Sequence, residues 1–283
     1  MAVFSAACYG VAMPLSRLAY DHGTNALTIM TIRYLVLALV LGIWLLAYGK
    51  SLHLPWKLAT ACAIIGLTFV GTAGGTLGAI VYMPVSLAVL VFYTYPILTV
   101  ITECVLEARW PHALEILALL LVVIGLSLTL QADIANLHVK GIALALVASF
   151  SAAAAIILSS RVLRVAGTRL VGFYSSAVAF VVSAVVMVRF DALSIPDSRF
   201  GLSLLGVIIA TFSLAILFMF ASIKSIGASR SATLFCFEPV IGILFAIFLL
   251  GERLLPIQWV GAALVGVAIL TATKLQSQTK ELK

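Results

Sequence analysis

The chain has 283 residues, of which 64% are hydrophobic and 10% charged, with a net charge of +7 and a mean hydropathy of +1.23. So few charges cannot cover a soluble globule, and the composition excludes a disordered chain, a nucleic-acid-binding domain, a collagenous chain and a cysteine-stapled secreted domain. What remains is an all-α polytopic membrane protein, because a span needs about 20 apolar residues and this length holds about ten of them.

In chain order, apolar runs bounded by charge, Gly or Pro predict spans at 2–20, 27–48, 57–82, 86–107, 114–131, 138–160, 168–190, 200–223, 230–250 and 256–274. The first run lacks a basic leading region and reads as a membrane helix, not as a cleaved signal peptide. The second carries Arg33 about two turns in. Arg33 either binds a carboxylate or snorkels outward, and snorkelling is the preferred reading. The third holds Gly71, Gly74, Gly75 and Gly78, whose spacing predicts a smooth face for close helix packing, able to slide during gating.

Tyr82 lies one short loop, Met83-Pro84-Val85, before the fourth span, which begins at Ser86 and carries Phe92, Tyr93, Tyr95, Pro96 and Glu103. The ninth begins near Ser229 and carries Phe235, Phe237, Glu238 and Pro239. Each proline sits near mid-depth, removes a hydrogen bond to the carbonyl of Phe92 or Phe235, and is predicted to kink its helix. The transmembrane domain is expected over 1–274, followed by a polar cytoplasmic tail, 275–283, that frays. With the N-terminus inside, the inner face receives eleven Lys and Arg against six outside, so both termini are expected to be cytoplasmic.

An internal repeat divides the spans. Ser16-Arg17-Leu18 with Gly23-Thr24 recurs at an offset of 144 as Ser160-Arg161-Val162 with Gly167-Thr168. Tyr95-Pro96 recurs at an offset of 143 as Glu238-Pro239. Repeat one then covers 1–137 and repeat two 138–274, with five spans each. Five is odd, so the second half enters the membrane inverted, giving a pseudo-two-fold axis in the membrane plane and a central cavity.

Enzyme chemistry finds little support. There is no phosphate-loop motif and no H-E-x-x-H. His22, His53, His112 and His138 are scattered in loops, and Cys8, Cys62, Cys104 and Cys236 lie in apolar runs without C-x-x-C spacing, as reduced packing residues do. No metal or cofactor is expected. A carboxylate in the hydrocarbon region is costly and marks a pathway, a proton relay or an ion pair. Glu238 fits that description, its alternative being a structural bond to a hydroxyl on a facing helix. Glu103, one turn from the inner surface, is expected to reach water. Tyr82, Phe92, Tyr93, Tyr95, Phe235, Phe237 and Glu238 are the expected cavity lining, although any single ring also serves as core or lipid-facing filling. Pro96, Pro239, the four glycines, Ser86 and Ser229 are the expected kink and gating residues.

Together these residues resemble the EamA-type branch of the drug/metabolite transporter superfamily. The similarity runs along essentially the whole chain. Its best piece is Ser229-Arg230-Ser231-Ala232, Glu238-Pro239 and Leu250-Gly251-Glu252-Arg253-Leu254, which resembles the family's small-residue start, central proline and closing G-E-x-L. Thr31-Ile32-Arg33-Tyr34 is similar to the Arg-bearing second span of such proteins. The first half departs: thirteen residues after Pro96, where the family often has Glu, stands Arg109. The overall run also resembles the YddG-type aromatic amino acid exporters. The resemblance implies a monomeric transporter of the bacterial inner membrane that exports amino acids, aromatic or otherwise amphipathic, by alternating access. Its partners would be a small-molecule substrate and the lipid bilayer, with coupling to protons left open. The alternative is a multidrug exporter of flat cations by proton antiport; an intramembrane enzyme would need a second polar catalytic group at the depth of Glu238.

Overall fold

A computed structural model describes residues 1–83, 85–130, 138–250 and 255–281. Among them are twelve helices and no strand. The first half contains α1 (Ala2–Asp21), α2 (Ala26–Ala47), α3 (Trp56–Ala79), α4 (Val85–Phe92), α5 (Tyr95–Leu106) and α6 (Ala113–Leu130). The second contains α7 (Val139–Val162), α8 (Thr168–Arg189), α9 (Arg199–Ile226), α10 (Ala228–Phe235), α11 (Glu238–Leu250) and α12 (Pro256–Glu281). Eight described segments are long and apolar enough to cross a membrane: α1, α2, α3, the α4–α5 run, α6, α7, α8 and α9. The pair α10–α11 and helix α12 take the places in the second half that α4–α5 and α6 take in the first.

Local chemistry sets the ends. The Asn25 side chain accepts from the Thr28 amide at 2.9 Å and opens α2, and Ser198 does the same for α9 from Gly201 at 2.9 Å. Gly227, at φ 86°, turns the chain from α9 directly into α10, a conformation that costs glycine little. Two expectations are corrected here. The polar tail does not fray at once, because α12 continues through Glu281. The fourth and ninth spans are not single kinked helices; each is two helices separated by a two-residue turn.

The packing has a two-fold pattern. Helix α3 packs on α7 as α1 packs on α9; α4 and α5 pack on α7 as α10 and α11 pack on α1; α2 packs on α8, and α6 on α12. Exchanging the halves returns these same pairs. The pairs run antiparallel: Gly71 meets Ser151 while Gly78 meets Leu144, and Phe4 meets Phe218 while Tyr9 meets Phe212. This is the arrangement two inverted repeats produce. Large apolar side chains such as Leu39, Ile43, Val181 and Val185 are exposed on the outside, where lipid replaces water as solvent. The N-terminal face of the bundle holds the start of α1 and the α9–α10 turn; the opposite face holds the α1–α2 turn and the α8–α9 loop.

Candidate functional site

The two breaks carry the polar chemistry. Proline lacks an amide hydrogen and fits best where none is needed, in the first turn of a helix. Pro96 is the second residue of α5 and Pro239 the second of α11. Ahead of each, the helix tightens and stops. Thr94 N donates to the Val91 carbonyl at 3.1 Å, and Phe237 N donates to the Leu234 carbonyl at 3.2 Å, both three residues back. The breaks face each other's halves. Thr94 and Ser149 hydroxyls are 2.9 Å apart, and the Tyr95 hydroxyl approaches the Ala232 carbonyl at 3.5 Å.

Glu238 is the first residue of α11 and is half-buried. Tyr93, from the other break, lies within electrostatic reach of its carboxyl group. Phe92, Tyr93 and Tyr95 form one ring cluster with centroids 5.2 to 5.9 Å apart, and Phe235 and Phe237 belong to the same central core. Arg33 points inward, which overturns the snorkelling expectation. Its guanidinium carbon lies 4.1 Å from the Phe212 ring centroid and 5.3 Å from that of Tyr34. Electron-rich ring faces and a guanidinium attract each other, so two rings hold this cation away from the outer surface. Its Nε is buried without a hydrogen-bond partner. Arg33 lies within electrostatic reach of Tyr9, Tyr34 and Glu238, yet no ion pair joins Arg33 to Glu238 among the described residues.

Tyr9, Tyr34, Phe69 and Phe212 complete this interior, with Tyr34 stacked parallel to Phe69 and edge-on to Phe212. Sequence reasoning missed all four. The available signal was their common mid-span position, which many core rings share. Tyr82 was expected here and is elsewhere. It is 43% exposed on the opposite face, stacked on His138 with ring centroids 5.3 Å apart. A tyrosine at the end of α3 has its ring at the membrane surface, where amphipathic rings are favoured.

The expected gating residues separate into groups. Gly71, Gly75 and Gly78 pack against α7; a Cβ on Gly75 would stand 2.7 Å from the Leu144 carbonyl oxygen. Gly74 faces open space. Gly10, not singled out from the sequence, touches the site: a Cβ there would lie 2.6 Å from the Glu238 carbonyl oxygen. Ser86 begins the α4 equivalent of α10, but its side chain, like Pro84 and the closing Gly251 to Leu254, lies outside the described residues.

Glu103 does not simply reach water. Its carboxylate accepts from the Ser229 amide at 3.0 Å and from the Ser229 hydroxyl, capping the start of α10 from α5. Arg109 stands 4.0 Å from Glu103, binds Glu115 through two nitrogens at 2.8 and 3.1 Å, and binds Glu107 at 3.0 Å. The hydrogen bond to Glu115, seconded by that to Glu107, holds the Arg109 guanidinium above its ordinary pKa. Arg109 therefore organises three acids on the N-terminal face, a role its departure from the family pattern did not reveal.

Comparison with known proteins supports this architecture. The EamA-like transporter family matches residues 1–131 and again residues 139–273. A protein of known crystal structure superposes with a TM-score of 0.80 over 98% of both chains at 20% identity, which shows a shared fold. No curated protein matches the chain.

Proposed function

The chain belongs to the EamA-like transporter family, and from that membership and its interior charges we propose that it exports amino acids with aromatic or other apolar side chains. It is a multi-pass membrane transporter; the export direction, the inner membrane and the substrate class are this proposal. One observation carries it: the Arg33 guanidinium and the Glu238 carboxyl group face one aromatic interior without pairing with each other. A zwitterion completes both. Its carboxylate would meet Arg33, its ammonium would meet Glu238 beside Tyr93, and its side chain would lie among Tyr34, Phe69 and Phe212. Desolvating a charge is offset only by a well-placed partner, so the two ends of one solute are worth most where both are fixed. A flat cation would suit Glu238 and the rings but would face Arg33, which disfavours the multidrug reading. A phosphorylated solute would need more than one cation at this depth.

Movement would follow from the breaks. Each broken span packs on the first helix of the other half, so rocking α4–α5 with α7 against α10–α11 with α1 opens one face as the other closes. Proteoliposomes loaded with labelled phenylalanine are expected to lose label faster than protein-free vesicles. Absence of protein-dependent flux for phenylalanine and for a panel of other amino acids would reject the proposal. Repeating the flux with and without an imposed pH gradient decides whether Glu238 also couples to protons.

A further inference from the structure

We infer that the cleft between α2, α8 and α9 on the N-terminal face binds one anionic glycerophospholipid. The cleft is about 670 Å³ in volume and is separate from the central aromatic interior. Its polar lining is cationic and hydroxylic, with Lys50, Arg169, Ser51 and Thr168. Its inner lining is apolar, with Leu217 and Phe218 among the residues deeper in the membrane. No acid lines it. That order, two cations at the membrane surface above an apolar slot, complements an anionic phosphate headgroup with its acyl chains below.

Arg169 is already oriented for such a ligand. Its guanidinium carbon stands 3.8 Å over the Trp44 ring. The ring covers one side of the guanidinium and leaves N–H donors free to match two phosphate oxygens. Trp44 itself lies one turn from the end of α2, at the depth where indole rings anchor to headgroups. The first turn of α8 begins beside them at Gly167 with no side-chain cap, so its amides also face the headgroup position. A free phosphate ion would use the polar lining alone. The apolar slot argues for the whole lipid.

The test uses the full chain purified in detergent with equal phosphatidylglycerol and phosphatidylcholine, read by native mass spectrometry. One phosphatidylglycerol is expected to stay bound in preference to phosphatidylcholine. The double variant Lys50→Ala/Arg169→Ala should reduce its retention roughly thirtyfold, the product of two surface-cation contributions. Arg189→Ala, on the opposite face, should leave it unchanged. Ala221→Trp fills the apolar slot without touching charge and should also expel the lipid, which keeps the test decisive if the double variant folds poorly. Equal retention of the two lipids, or retention unaffected by Ala221→Trp, would overturn the inference. So would displacement of phosphatidylglycerol by inorganic phosphate at millimolar concentration, since a site that needs only the polar lining would be a phosphate site.

Discussion

At the scale of residues, a charge inside a membrane persists only where something compensates it. Arg33 is compensated by two ring faces, Glu238 has Tyr93 within electrostatic reach, and both retain capacity for further bonds. This predicts separable defects. Arg33→Leu removes the carboxylate partner but not the ammonium partner, so phenylalanine should lose about 10- to 100-fold in apparent affinity while phenethylamine, which has no carboxylate, should lose little. Glu238→Gln should weaken both ligands, because both carry the ammonium. Competition against labelled phenylalanine in proteoliposomes checks this, and equal losses for the two ligands in Arg33→Leu would break the assignment. Arg33's direction was not legible in its own span. It depends on Phe212, which arrives from α9 in the other half of the chain.

At the scale of elements, two neighbouring glycines on α3 separate packing from propensity. Glycine weakens an exposed helix by about 1 kcal/mol relative to alanine, so replacing it helps wherever space allows. Gly74 has open space, whereas a Cβ on Gly75 would stand 2.7 Å from the Leu144 carbonyl oxygen and 2.8 Å from the Ala148 nitrogen, both backbone atoms of α7. Gly74→Ala should therefore hold or raise the melting temperature in detergent, and Gly75→Ala should lower it by the equivalent of about 1–3 kcal/mol. Comparable shifts at the two positions would mean α3 and α7 are not closely packed. The sequence pattern placed all four glycines on a packing surface because spacing alone reports a helix face, not which neighbour covers it. Proline was legible for a similar reason and misplaced in detail. Pro96 and Pro239 do mark the interruptions, but the helical ladder ends before them, because proline is stable in the first turn of α5 and of α11.

At the scale of the whole molecule, hydropathy and the odd number of spans per repeat were enough to predict two inverted halves, since both are local properties. The convergence of Tyr9, Tyr34, Phe69 and Phe212 was not legible, because it is created by pairing α1 with α9 and α2 with the second half. The ties between halves also differ between the two faces. On the opposite face the halves are joined by neutral bonds: Asn25 Nδ2 and Thr28 Oγ1 donate to the Ala192 carbonyl at 2.7 and 2.9 Å, and Ser194 N donates to Thr28 Oγ1 at 2.9 Å. On the N-terminal face the Glu103 carboxylate caps α10 through Ser229, where it also meets the positive end of the helix dipole. At the repeat offset of 143 the residue equivalent to Glu103 is Ala246, so the sequence supplies no acid for a matching tie. Glu103 should then bias the molecule toward closure of the N-terminal face. Its removal should shift that equilibrium toward opening by about tenfold, the lower range for a charged hydrogen bond at a site still touched by solvent. Spin labels on Trp110→Cys and Val165→Cys report the opening, since these positions belong to different halves and are 92% and 70% exposed. The four native cysteines are buried and free, which leaves the introduced pair for labelling. In Glu103→Ala the label distances should extend to longer values than in the parent, whereas in Glu107→Ala, whose carboxylate binds Arg109 and not Ser229, they should stay put. Identical distributions in all three proteins would leave closure to hydrophobic packing and remove Glu103 from the gate.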